Sequence, residues 1–341
     1  MLAYTSVGGL MKEYRKLISF GKNSFVISLP KGWVIQNKLL KGDLVHIEDD
    51  GHNLVLSRSD AKNEVKEKSK VILVDGKNLE TIEREINSCY ILNYRTIILK
   101  GDSIRNKINE LQLLFHNLIA LEVMEQTSNS IVAKDFLNMD KVSVDEIIRK
   151  MDIVTRAMFT EACEDFTAES YKNVNDRDKD VNRLYYLLYR AALYNLDNPL
   201  KGIKNFNINS IDLVNYLFSG YYIEGIADEV RRTARYCSKL TIAEEEKKSL
   251  IKLLNIIRTN YLETMKVFYA KNIDRALHLA SQKRELNAEI DSFEKRNNRT
   301  EHITNAVSRM RRLVSFTHNL GRLVYQGYNY FQPPDGDLLK G

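Results

Sequence analysis

Apolar residues recur with the period of an α-helix throughout the second half of the chain. A spacing of three or four residues places such positions on one helix face. Interruptions fall at 197–199, 207–210 and 297–298, where Asn, Asp, Ser or Pro residues cluster. The pattern predicts a helical bundle of roughly 190 residues from position 143, which is long for one three-helix unit and favours internal repetition. Two of the stripes are Val174, Val181, Leu184 and Leu188, and Leu250, Leu253, Leu254 and Ile257.

The first sixty residues have a different pattern, with short apolar runs separated by turn residues. Pro30 suits the start of a short helix, because its missing N–H is not needed there. An Asp-Gly pair within 49–53 is a strong hairpin signal between two apolar runs. The pattern predicts a small β unit over 12–58, followed by a polar linker over 59–69. Its predicted strands are 16–20, 25–29, 43–47 and 54–57, and its predicted helix is 31–39.

Between these regions, 70–137 alternates short strands with helical stretches, which is typical of βαβ connections. The first two strands are each followed closely by a glycine, Gly76 and Gly101. We expect a small α/β unit that serves either as a small-molecule sensor or as a spacer, and the sequence does not decide between the two. The predicted strands are 70–74, 96–99, 121–124 and 130–133, and the predicted helices are 79–90 and 104–118.

Composition narrows the class of protein. Only 4 prolines and 15 glycines favour long regular elements, and 44% hydrophobic with 28% charged residues is ordinary for a folded, soluble protein. No apolar run approaches the roughly 18 residues of a membrane span, and no signal peptide is evident, so a cytoplasmic protein without an integral membrane segment is expected.

Cys89, Cys163 and Cys237 are widely spaced, which predicts buried thiols rather than disulfides or a zinc site. The net charge of +6 is compatible with nucleic acid but not diagnostic of it.

One run in the β unit carries a family resemblance. From Arg15 to Trp33 the chain reads as a basic strand, a small-residue turn, and a strand ending in Leu-Pro before a short helix, and a Lys-Gly-Asp-Leu-Val segment follows at 41–45. This order resembles the AbrB/SpoVT/MazE family. The resemblance implies a swapped-hairpin homodimer that binds DNA through basic residues near its first strands. The DNA-contacting candidates are Arg15, Lys16, Lys22 and Lys31, through salt-dependent phosphate contacts.

An alternative reading of the same module remains open. Four acidic residues, Asp43, Glu48, Asp49 and Asp50, nearly offset those basic candidates. The module would then serve dimerisation alone, with ordinary solvated lysines. A unit this small needs a partner to bury enough apolar area in either case.

Two motifs in the helical region carry a second resemblance. Asp178 and Asn182 lie four residues apart, as do Glu224 and Asp228. These segments resemble the helix motifs of PhoU, the phosphate-uptake regulators, in their archaeal-type form with two repeated three-helix bundles. A second copy pairs Asn287 and Asp291 with His318 and Arg322, where the last two replace an acidic pair.

The four-residue spacing has a chemical meaning. Residues i and i+4 share one helix face, about 6 Å apart. Two such pairs on facing helices would place oxygen ligands around one spot, which suits Mg, Mn, Fe or Zn. We therefore predict a divalent or iron-type metal site at Asp178, Asn182, Glu224 and Asp228, and none in the second copy.

The ordinary alternative is a charged helix face without a metal. In that reading Arg231 or Arg232 pairs with Asp228, because both lie about one turn beyond it. Asp178 continues the stripe that contains Val181, so its carboxylate should be buried and need a partner. In the second copy, Arg322 would compensate Asp291.

No recognised nucleotide loop, zinc motif or catalytic grouping is present in the sequence, so no enzyme is indicated. The last helix carries Arg309, Arg311, Arg312 and Arg322, which would bind an acidic partner or nucleic acid, or form a solvated face. The tail at 332–337 is predicted to be a disordered end.

Together these patterns predict a multidomain α+β chain. It would contain a small β swapped-hairpin domain (12–58), a small α/β domain (70–137), and two all-α three-helix-bundle repeats (143–240 and 243–331). The first functional hypothesis is a dimeric DNA-binding transcriptional regulator of phosphate uptake or metabolism. The second is an adaptor that does not bind DNA, dimerises through the hairpin module, and negatively regulates a phosphate transporter or its sensor kinase. An enzyme with a metal in the bundle core is a minor third, because the Glu-x-x-His pairs of di-metal bundles are missing from the bundle helices.

Overall fold

The computed structural model describes residues 14–22, 24–49, 54–58, 68–296 and 301–326. It divides into two compact units, residues 1–66 and 67–341. Within these residues the protein is mostly helical, with small β-sheets towards the N-terminus and helices after them.

The first unit consists of two antiparallel strand pairs and one short helix. Gly21, in the turn of the first pair, has φ +72°, a left-handed conformation that favours glycine. The helix ends at Gln36 rather than at residue 39, because Lys38 has the left-handed φ of +53°. Residues 50–53 of the predicted second hairpin and residues 59–67 of the predicted linker lie outside the described residues. The elements are Ile18–Phe20 (β1), Ser24–Val26 (β2), Lys31–Gln36 (α1), Val45–Asp49 (β3) and Leu54–Arg58 (β4).

The described part of this unit has almost no apolar interior within one chain. Among its described side chains, Leu39 is the single buried one. Phe20 and Phe25 on the first strand pair are 70% and 67% exposed. A two-stranded hairpin is marginally stable in water, so these strands need another surface to cover them. The other large exposed apolar residues of the strands and loops include Leu17, Ile18, Val26, Ile27, Leu40, Leu44, Ile47, Leu54 and Val55.

The second unit begins with a four-stranded sheet, ordered β5-β6-β8-β7. The strands β5 and β6 are parallel and joined by a helix, as the predicted βαβ connection requires, whereas β8 runs antiparallel to both of its neighbours. Ile72, Ile97 and Ile131 point to the face that α2 and α3 cover. The elements are Ser69–Leu73 (β5), Leu79–Ile91 (α2), Thr96–Lys100 (β6), Ile108–His116 (α3), Leu121–Gln126 (β7) and Ser130–Asp135 (β8).

The single helix predicted over 104–118 is wrong. A 3₁₀ turn at Asp102–Asn106 comes first, and α3 starts only at Ile108. Between them Lys107 leaves helical geometry, with φ −136°. The Asp75 carboxylate accepts hydrogen bonds from the backbone N–H groups of Asp102 and Ser103, at 3.0 and 2.8 Å, which fixes the turn to the end of β5.

Eight further helices follow in the described residues, and their apolar faces form one continuous core. Leu188, Val230, Leu254 and Met310, which come from both predicted repeats, are buried in it. The breaks predicted at 197–199 and 207–210 are confirmed, and residues 297–298 lie outside the described residues. The helices are Val144–Glu164 (α4), Ala168–Asp197 (α5), Pro199–Phe206 (α6), Ser210–Cys237 (α7), Glu244–Ala270 (α8), Ile273–Ser281 (α9), Lys283–Arg296 (α10) and Glu301–Tyr325 (α11).

A buried ion pair fastens the sheet to α5. Arg190 has no exposed side-chain surface and donates to both carboxylate oxygens of Asp135, at 3.1 and 2.6 Å. It also donates to the side chain of Asn93 and stacks over the Tyr90 ring at 4.7 Å. Arg95 pairs with the same Asp135. Two cations and one carboxylate thus hold the end of β8 against the helical region.

Within the described residues, no helix is long and apolar enough to cross a membrane. Cys89, Cys163 and Cys237 are all buried and unbridged, which confirms the prediction made for them.

Candidate functional site

The four predicted metal ligands lie on α5 and α7, which pack against each other. Asp178 is buried on the core side of α5, as its place in the apolar stripe predicts. Asn182, one turn later, donates from Nδ2 to the Asp178 carboxylate at 3.3 Å. Glu224 and Asp228 occupy successive turns of α7. The structure therefore brings all four residues into one cluster, which we call the α5–α7 carboxylate cluster.

Arginines neutralise two of its carboxylates. Arg231 lies with Nε 2.9 Å from Asp178 Oδ2 and also pairs with Asp228. Arg232 pairs with the second oxygen of Asp228 at 2.8 Å. The pairing of these arginines with Asp228, which the sequence offered as an alternative, is confirmed. The bridge from Arg231 to Asp178 was not predicted, since it depends on how α5 and α7 pack.

Glu224 differs from its neighbours. It lacks an ion pair among those of the described residues, and burial raises its pKa to about 7, with the negative charges of Asp228 and Asp178 adding to the effect. Burial also raises the pKa of Asp178, which Arg231 opposes. A carboxyl group that titrates near neutral pH inside a cluster of fixed charges changes its charge within the physiological range.

As placed, the cluster does not fit a metal ion. Arg231 occupies the space between Asp178 and Asp228 and already supplies the positive charge that a cation would supply. In the part of the chain that the structure describes, no three or more His, Cys, Asp or Glu side chains are grouped so as to hold a metal. A Mg, Mn, Fe or Zn site here would require Arg231 to turn away, and it stays a prediction for metal titration to test.

Another carboxylate on α7, that of Glu229, joins the two predicted repeats. Glu229 is 1% exposed and pairs with Arg312 of α11, with Nε 2.9 Å from Oε1. Arg309 approaches its other oxygen at 3.6 Å. The sequence singled out these arginines for a partner or for solvent, and the structure instead turns both towards Glu229. Sequence reasoning missed Glu229, although an acid beside the Asp228 motif and a basic α11 were both visible.

In the second copy of the motif, Asp291 pairs with Arg311, at 2.7 Å, and not with Arg322 as predicted. Arg311 also reaches Glu294 on the same helix, α10. Asp291 pairs with Arg311 because the position of Arg311 on α11 faces both acids of α10 at once. Arg322 lies three turns further along α11. His318 and Arg322 therefore lie without an acidic partner among the ion pairs of the described residues.

The predicted DNA-contacting residues all lie in the first unit. Lys22 is in the turn between β1 and β2, and Lys31 opens α1. Arg15 and Lys16 come just before β1. All four side chains are exposed, as contact with a phosphate backbone requires.

Comparisons with family models, with curated proteins and with solved structures find no match to this chain.

Proposed function

We propose that the chain is a homodimeric DNA-binding transcriptional regulator of phosphate uptake, in which the first unit forms the dimer and contacts DNA. The reference to phosphate rests on the likeness of the helix motifs at 178–182 and 224–228 to PhoU. The swapped-hairpin arrangement rests on the likeness of 15–45 to the AbrB family. The helical region would report the state of the cell or dock a partner protein.

The observation that carries the DNA proposal is the separation of charge within the first unit. Residues 12–41 contain seven basic side chains and one acidic side chain, whereas 42–58 contain one basic and four acidic. The acidic residues that offset the basic ones over the whole unit therefore belong to 42–58, the segment that includes β3 and β4. The half that contains β1, β2 and α1 keeps a net charge of +6, enough for several phosphate contacts.

Support for the dimer comes from the exposed strands. Phe20, Phe25 and Ile18 are at least 60% exposed in a single chain, and Leu39 alone among the described side chains of the unit is buried. Apolar surface on that scale is favourable only when another surface covers it. A second copy of the same unit offers the matching apolar face and would also double the basic surface.

The test is retention of DNA fragments from the protein's own upstream region, over a salt series, by the full chain. Each phosphate contact contributes about 0.9 to the slope of log affinity against log salt. We expect Lys22→Ala/Lys31→Ala to lower affinity and to flatten that slope. The matched control is Lys252→Ala/Lys295→Ala, which removes two exposed lysines from α8 and α10.

The adaptor is the second candidate, and one feature favours it. Ile211, Val214, Phe218 and Tyr221 are spaced by three or four residues along α7, and each is between 42% and 50% exposed. An exposed apolar stripe of this kind suits docking to another protein. Wild-type protein that retains no DNA at low salt would contradict the regulator and leave the adaptor.

A further inference from the structure

A small polar cavity lies among α8, α9, α10 and α11. Asn260 and Thr264 of α8, Lys283 of α10, and Thr317 and His318 of α11 supply its polar lining. Its volume of about 10 Å³ is room for one water-sized group. Ala276, Leu279 and Ala280 of α9 and Val314 and Gly321 of α11 supply the apolar remainder of the wall.

Two side-chain atoms at this cavity have no partner in the described structure. Thr317 is 1% exposed, and its Oγ1 makes no hydrogen bond. The neighbouring His318 has a buried Nδ1 that also makes none. Buried polar atoms are nearly always satisfied in folded proteins, because an unpaired one loses its hydration without compensation. Both atoms therefore point to a bound group at this position.

The charge around the cavity is positive. Burial lowers the pKa of His318, and the charges of Lys283 and Arg322 lower it further. None of the described residues that line the cavity is acidic. The hydroxyl, imidazole and ammonium groups are all able to donate hydrogen bonds, so the site matches a ligand that accepts them and carries negative charge.

The cavity opens beside a wider groove. Lys283 lines both spaces, and Arg284 and Asn287 continue the groove along α10. The groove has a volume of about 600 Å³, enough for the rest of a tetrahedral ion. Asp291 also borders it, but its charge is offset by Arg311, 2.7 Å away.

We propose that this place binds a small tetrahedral oxyanion of the phosphate or sulfate class. One oxygen occupies the cavity and accepts from Thr317 Oγ1 and from His318, while Lys283, which lines both spaces, and the positive charge of Arg322 near His318 balance its charge. The site goes beyond the proposed regulation of transcription and does not depend on DNA binding.

Calorimetric titration of the full chain with inorganic phosphate, at constant ionic strength in chloride, tests the proposal. We expect saturable binding to the wild type and at least a tenfold loss of affinity in Thr317→Val and in Lys283→Met. Lys295→Met, an exposed lysine on the same helix, is the matched control and should bind like the wild type. A phosphate monoester titrated in parallel shows whether the groove admits an esterified phosphate or only the free ion.

Folding of the variants is checked without ligand. Thr317→Val replaces an unpaired buried hydroxyl with a methyl of similar shape, so its Tm should not fall. Thr317→Ser should restore binding. In the wild type, phosphate should raise the pKa of His318 measured by NMR, since a bound anion stabilises the protonated ring.

Absence of saturable heat, an unmoved His318 pKa, or equal binding by Thr317→Val and Lys283→Met would overturn the proposal. The cavity would then hold a structural water that satisfies Thr317 and His318.

Discussion

The two units of this chain solve the problem of burying apolar surface in opposite ways. The described part of residues 67–341 buries most of its large apolar side chains, with Leu188, Leu254 and Met310 in one core that spans the helices of both predicted repeats. The described part of the first unit leaves Phe20 and Phe25 mostly exposed. Because apolar burial is the main favourable term in folding, residues 67–341 can be stable alone, whereas the strands of the first unit need a further surface to cover them.

The two units also differ in how their charged side chains are paired. In the helical region the buried carboxylates Asp178 and Glu229 are paired with arginines on neighbouring helices or turns. In the first unit, the basic residues of 12–41 have one acidic residue among them. Charges in the helical region mainly hold helices together, whereas Lys22 and Lys31 of the first unit are exposed to solvent.

The largest effect on stability is expected from the buried link between the sheet and α5. Arg190→Met should lower the free energy of unfolding by about 3 kcal/mol, the lower end for removing one partner of a buried ion pair, because Arg95 still neutralises Asp135. Urea denaturation measures it. The control Arg84→Met removes an exposed pair with Glu80 and should cost under about 0.5 kcal/mol. Equal losses would show that the link is not structural.

The next effect is a pH dependence that originates at Glu224. Its folded pKa of about 7 lies above the usual 4.5, so the folded state holds a proton that the unfolded state has released. The contribution of Glu224 to stability is therefore fully present below pH 4.5 and is lost as the pH rises through about 7. At about 1.4 kcal/mol per pKa unit, we expect a loss of about 2 kcal/mol between pH 5 and pH 8.

Glu224→Gln should flatten this profile and make the protein more stable than the wild type at pH 8. Thermal unfolding in a buffer that contains a chelator provides the measurement, because the chelator removes any metal contribution. Asp176→Asn, on the exposed side of α5, serves as the control. An unchanged profile in Glu224→Gln would contradict the raised pKa.

The smallest effect on stability is expected at the DNA-contacting candidates. Lys22→Ala and Lys31→Ala lie in an exposed turn and at the start of an exposed helix, so each should change unfolding by less than about 0.5 kcal/mol. Each should nevertheless reduce the salt dependence of DNA retention by about one phosphate contact. A large loss of stability, without change in DNA retention, would show that these lysines stabilise the fold and do not contact DNA.

Local patterns predicted much of the fold. The stripe through Val174, Val181 and Leu188 predicted the buried face of α5, and the glycines after β5 and β6 marked the ends of two strands. The helix expected over 104–118 failed because a distant carboxylate, Asp75, holds the backbone at Asp102 in a separate turn. A tertiary contact of this kind leaves no mark in the local periodicity.

The sequence predicted which residues make up the candidate site, but not all of the contacts between them. The spacing of Asp178, Asn182, Glu224 and Asp228 identified residues that do lie together on α5 and α7. The cation among them, Arg231, was expected to reach Asp228 but not Asp178. Which side chains meet across two helices depends on their rotation and crossing, and neither helix encodes that alone.

The central claim is that the exposed strands of the first unit are covered by a second copy. Light scattering on the full chain, at micromolar concentration, tests it most directly by giving the molar mass. We predict twice the mass of one chain for the wild type and for Ile153→Asp, which places a charge at a 64% exposed site on α4. Phe25→Asp should fall to the mass of one chain with its helical circular dichroism intact. A monomeric wild type, or a Phe25→Asp variant that stays dimeric, would contradict the account.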